Sequence, residues 1–205
     1  MSALFEQYGL LWEFLRSRFK ITVALCAAGF LAAAALGAFT AYCYPDAIET
    51  TLESLYEMAE EIENEDGTIS VFALLFHNWW AMLTSAAYGF IPFLFLPVVS
   101  LVSNGLILGV FGMFYVNIGM GILPYLAGIL PHGIFELPAL VLSIACGIYL
   151  CINMNRRIMG SSQAIPMLEL LSDLLRVILL LIAPMVVAAA FIECYITPLI
   201  LNLFY

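Results

Sequence analysis

The 205-residue chain is 64% hydrophobic and only 10% charged, with a formal net charge of −9. Ordinary soluble domains carry about 25% charged residues, so this composition excludes a soluble enzyme and a disordered tail and leaves a single-domain integral membrane protein. The acidic balance separately excludes a nucleic-acid binder, which needs clustered Lys and Arg on the phosphates.

A membrane-crossing helix needs about 20 mostly apolar residues, and the chain divides on that measure. Within residues 1–20, Leu4, Phe5, Leu11, Trp12, Leu15 and Phe19 recur at helical spacing with Glu6, Glu13, Arg16 and Lys20 between them. This pattern predicts an amphipathic helix lying in the membrane interface. Residues 21–44 are free of charge and too long for the apolar region of a signal peptide, so they read as an uncleaved first span. Residues 46–67 carry nine of the 15 acidic residues and no Lys or Arg. There Ile48, Leu52, Leu55, Ala59 and Ile62 keep helical spacing, which predicts an external acidic helix. Its acidic face, with Glu49, Glu53, Glu57 and Glu60, reads either as solvated surface or as a docking face for a partner. Further spans are predicted over 69–98, interrupted by Gly89, Pro92 and Pro97, then over 101–123, 131–155 and 174–203. The expected fold is therefore an all-α integral membrane protein with five transmembrane helices, an N-terminal interfacial amphipathic helix and an external acidic helix.

Orientation follows from the bases. Arg16, Arg18 and Lys20 precede the first span, Arg156 and Arg157 follow the fourth, and Arg176 opens the fifth. Five spans put all of them on one side, which the positive-inside rule makes cytoplasmic. The N-terminus is then cytoplasmic, and the C-terminus, the acidic segment and a short turn at 124–130 are external.

Ionisable residues inside apolar spans are costly and point to function. His77, His132, Glu136 and Glu193, with the amide of Asn78, fall at matching depth in the outer half of the predicted bundle. Asn104 is expected nearer the cytoplasm. His132 and Glu136 are spaced i, i+4 and share a helix face. His132, Glu136 and Glu193 read as a self-satisfying polar cluster, as ligands for a divalent metal such as zinc, or as part of a proton or ion pathway. Gly105, Gly109 and Gly112 beside Asn104 form a small-residue face for helix packing, and Gly29, Ala33 and Gly37 form another; either face would also suit a homo-oligomer. The five cysteines show no Cys-x-x-Cys spacing, and a disulfide between Cys43 and Cys194 stays open.

One stretch is specific. The run Ile129-Leu130-Pro131-His132-Gly133-Ile134-Phe135-Glu136-Leu137-Pro138-Ala139 resembles the central motif of the stage II sporulation protein M family. Asn78, Asn104-Gly105 with Gly109, and Phe191-Ile192-Glu193 agree with it in order. The resemblance implies a polytopic bacterial cytoplasmic-membrane protein. In spore formers the family's namesake serves engulfment of the forespore and is thought to anchor external peptidoglycan-degrading enzymes; members also occur in organisms that never sporulate. The leading expectation is thus a membrane scaffold for cell-wall-remodelling partners, embedded in lipid and binding no nucleic acid. The rivals are an intramembrane metal-binding protein or metal-dependent enzyme built on His132, Glu136 and Glu193, and a transporter component.

Overall fold

The computed structural model describes residues 2–45 and 70–204, and all regular structure among them is helical. The predicted external helix, with Glu49, Glu53, Glu57 and Glu60, lies outside the described residues. In chain order the helices are α1 (Ser2–Phe14), α2 (Lys20–Cys43), α3 (Val71–Ala87), α4 (Leu96–Asn117), α5 (Ile122–Ile158), α6 (Met167–Val177), α7 (Ala183–Tyr195) and α8 (Thr197–Leu201). π-helical turns at Leu15–Phe19 and Ile178–Ile182 join α1 to α2 and α6 to α7 without a break.

Four helical runs among the described residues are long and apolar enough to cross a membrane: Leu4–Cys43, Leu96–Asn117, Ile122–Ile158 and Met167–Tyr195. The predicted second span is shorter than expected. Its helix, α3, stops after 17 residues at Ala87, and a 3₁₀ turn at Tyr88–Phe90 leads into a reversal. Pro92 and Pro97 account for this, since neither can donate an i→i−4 bond. Pro97 instead sits in the first turn of α4, which therefore starts at Leu96 and not near 101. Phe93 and Phe95 both adopt positive φ in the reversal. The Asn155 side chain accepts a hydrogen bond from the Phe93 amide at 2.8 Å and ties the reversal to α5.

Two other boundaries differ from the sequence reading. The external turn expected at 124–130 is helical, because α5 begins at Ile122 and carries Pro131 and Pro138 inside it. The chain reverses instead around Gly119 and Gly121, both at positive φ. The N-terminal amphipathic segment likewise runs on into the first span without a break. At 1.5 Å per residue that 40-residue run is about 60 Å long, twice a hydrocarbon core. Its α1 end packs on α6, where Arg18 pairs with Glu169 at 2.6 Å and Arg176 bonds Gln7 and Asp173, each at 2.7 Å.

The long α5 is the hub, touching α2, α3, α4, α7 and α8. Ser143 on α5 donates to the Met82 carbonyl on α3. Gly89 and Gly147 meet so closely that a Cβ on either would overlap backbone, at Gly147 and Ser85 respectively. Tyr125 donates to the Leu108 carbonyl and fixes α5 to α4. On the far side of α4, the small faces read from the sequence meet α2. A Cβ on Gly37 would overlap the Leu106 carbonyl, and one on Gly109 the Ala34 carbonyl. Gly112 departs from that face and lies against the Tyr125 ring. Cys43 and Cys194 are both free thiols.

Candidate functional site

His132 and Glu136 leave α5 on one face, as the i, i+4 spacing requires. Their side chains meet Glu193, which comes from the end of α7. His132 Nε2 lies 3.8 Å from Glu136 Oε2 and 4.0 Å from Glu193 Oε2. One donor atom from each of the three residues lies within 4.8 Å of the others. These distances exceed a direct hydrogen bond, so His132 does not close on either carboxylate as a self-satisfied pair would. Its other ring nitrogen, Nδ1, is 3.3 Å from the hydroxyl of Thr197, the first residue of α8.

The three residues face a cavity of about 290 Å³ walled by α2, α3, α4, α5 and α7. His77 and Asn78 enter it from α3 and Asn104 from α4. Asn104 is thus a cavity residue and not part of the packing face: the glycines next to it turn toward α2, and its own amide donates to the Ser100 carbonyl at 2.8 Å. Asn78 is only 7% exposed, and its Nδ2 has no hydrogen-bond partner among the described residues. Leaving a buried amide hydrogen unpaired costs about 1–3 kcal/mol.

The donor set suits a divalent cation. Two ligands about 2.1 Å from a shared tetrahedral zinc sit about 3.4 Å apart, so closure from the observed separations needs only small side-chain movement. One imidazole and two carboxylates leave a fourth position for water or another small ligand, and Thr197 stands where a partner for the non-ligating ring nitrogen belongs. Two half-buried carboxylates within apolar helices also need compensation, because ionised groups away from water are costly unless paired or bound to metal. Thr197 was not foreseen from the sequence; the only signal was a lone hydroxyl one helical turn beyond Glu193.

The comparison with known families bears on the whole of this arrangement. The family described as Stage II sporulation protein M matches residues 24–198, which include every residue that lines the cavity. The chain belongs to the stage II sporulation protein M family. No curated protein and no solved structure matches it. As a family member with several long apolar helices it is a multi-pass membrane protein.

Proposed function

We propose that this stage II sporulation protein M family member is an intramembrane divalent-metal protein, with zinc held by His132, Glu136 and Glu193. The observation that carries the reading is the convergence of three ligand atoms from α5 and α7 within 4.8 Å of one another. The cavity and the unpaired Asn78 amide beside it fit a centre that presents a bound water or small ligand. Purified, chelator-free protein should hold about one zinc per chain by elemental analysis, and His132→Ala and Glu136→Gln/Glu193→Gln should lose it. Wild-type protein that stays metal-free after incubation with zinc would end this reading.

Family membership favours a second reading: a scaffold that recruits external peptidoglycan-degrading enzymes, through the acidic segment or the outer ends of the helices. Charge reversal of Glu53, Glu57 and Glu60 to Lys should then abolish salt-sensitive capture of such an enzyme. Unchanged capture would count against that surface. Both readings place the N-terminus in the cytoplasm, with α3 as a short fifth crossing. An impermeant thiol reagent should label Leu123→Cys in intact cells and leave Gln163→Cys untouched; the opposite pattern would invert the orientation.

A further inference from the structure

A second space, an open groove of about 430 Å³, lies between α3 and α4 on the side of their connecting turn. It shares Ala81 and Asn104 with the cavity of the His132 centre. The two adjoin where α3 and α4 face each other, with Ala81 and Asn104 between them. The groove is lined by Thr84, Ser85, Ser100 and Ser103 together with the apolar Leu96 and Val99. Ser85 Oγ and Ser100 Oγ share a hydrogen bond of 2.8 Å across the seam. From Asn78 to Tyr88 the helix rise covers about 15 Å, half of a hydrocarbon core.

These hydroxyls have local partners. Ser85 donates to the Ala81 carbonyl, Thr84 to Trp80 and Ala81, and Ser103 to Ser100. Such bonds make a hydroxyl tolerable in lipid, yet they do not fill the space between the helices. Helices held by packing alone draw together over small residues, as α2 and α4 do. Here polar atoms repeat at about one-turn intervals beside open volume, ending at a buried amide that lacks a partner. Helix α3 is also short: 17 residues rise about 25 Å, less than the ~30 Å hydrocarbon core. A short helix thins the bilayer beside it and brings water closer.

We propose that the α3–α4 seam is a hydrated route by which a divalent cation enters and leaves the His132–Glu136–Glu193 centre from the membrane face that carries the α3–α4 turn. This rests on the metal reading above. Asn104 is the constriction: its amide can replace part of the ion's hydration shell as it passes and keeps the narrow point wet.

The test uses the full chain in phosphatidylcholine vesicles, loaded with zinc and challenged with external EDTA. Asn104→Leu should leave the equilibrium zinc content unchanged and slow zinc release by about tenfold, because an apolar side chain of similar size dewets the constriction without touching a ligand. Asn104→Ala should release zinc at least as fast as wild type, which separates blocking from misfolding. In a background without the native cysteines, Ser100→Cys should react with a charged, lipid-insoluble thiosulfonate, and that reaction should slow release as Asn104→Leu does. Equal release from wild type and Asn104→Leu, with Ser100→Cys unreactive, overturns the route while the centre stands. Wild type that takes up no zinc overturns the centre and the route together.

Discussion

On the side of α4 that meets α2, backbones touch; on the side that meets α3, they stand apart around a cavity and an open groove. The first seam is made of Gly37, Gly105 and Gly109, where any Cβ would overlap atoms of the opposite helix. The second contains Asn78, Ser85, Ser100 and Asn104 and keeps open volume along its length. Water-driven burial does not hold helices together in lipid, so close approach and hydrogen bonds must do it. The α2 side gains its contacts by exclusion of everything else. The α3 side gives up that contact and retains polar groups, an expense that packing alone gives no reason to keep. One helix thus joins a closed support to an open working space.

The largest effect is expected where the closed seam is forced open. Gly109→Val should destabilise the protein by about 3 kcal/mol or more, because the Ala34 backbone cannot yield as a flexible side chain can. Gly128→Ala is the contrasting change, since its Cβ would meet only the Leu201 side chain at 3.6 Å. It should be close to neutral. Unfolding in detergent micelles, followed by helical circular dichroism, measures both. Equal stability for the two variants would dissolve the contrast between the seams.

How much of that contrast the residues announce depends on the seam. The closed one was legible: glycines at i, i+4 in one span and a matching small stripe in another have few other uses in lipid. Glu136 was legible beside His132 from spacing, and Glu193 from depth. Asn104 was misread because it is adjacent to Gly105 in sequence, whereas a 100° step along the helix turns it to the opposite task. The start of α5 was misread because Pro131 resembles a helix start. In a membrane a proline inside a helix is supported by its neighbours, and α5 runs through it. The Gly89–Gly147 contact left no trace at all, because each glycine stands alone and only the tertiary arrangement pairs them.

Next in size is a change at the rim of the open space. Thr197→Val keeps the shape of the side chain but removes the hydroxyl 3.3 Å from His132 Nδ1. Loss of the partner on a metal-binding imidazole typically costs 10–100-fold in affinity, and zinc titration should read about that here. Folding stability without zinc should change little. A Thr197→Val chain that binds zinc as wild type does would remove Thr197 from the site.

A smaller effect of opposite sign is expected within the cavity. Asn78→Leu replaces an unpaired buried amide with an apolar side chain of similar volume and should stabilise the zinc-free protein by about 1 kcal/mol. That gain should shrink once zinc and its water are bound, because the wild-type amide then has a partner. A gain that is the same with and without zinc would make Asn78 a structural defect unconnected with the centre.

The smallest effect discriminates most finely between a dry seam and a wet one. Ser85 and Ser100 are joined by a hydrogen bond of 2.8 Å between α3 and α4. Between membrane helices such a bond couples its partners by about 0.6 kcal/mol on average. In a hydrated seam water competes for both hydroxyls, and the coupling falls toward zero as each lost bond is replaced. The double-mutant cycle of Ser85→Ala, Ser100→Ala and the pair measures that difference directly, since the loss of each hydroxyl's own helix contact cancels. Alanine fits both helices and leaves the path no narrower. Coupling near zero is the expected result, and it should stay there when the vesicles are made from longer-chain lipids. Coupling near the average for membrane helices would mean that the two hydroxyls meet without water, and the α3 side of α4 would then be closed by a polar clasp as its α2 side is closed by glycine.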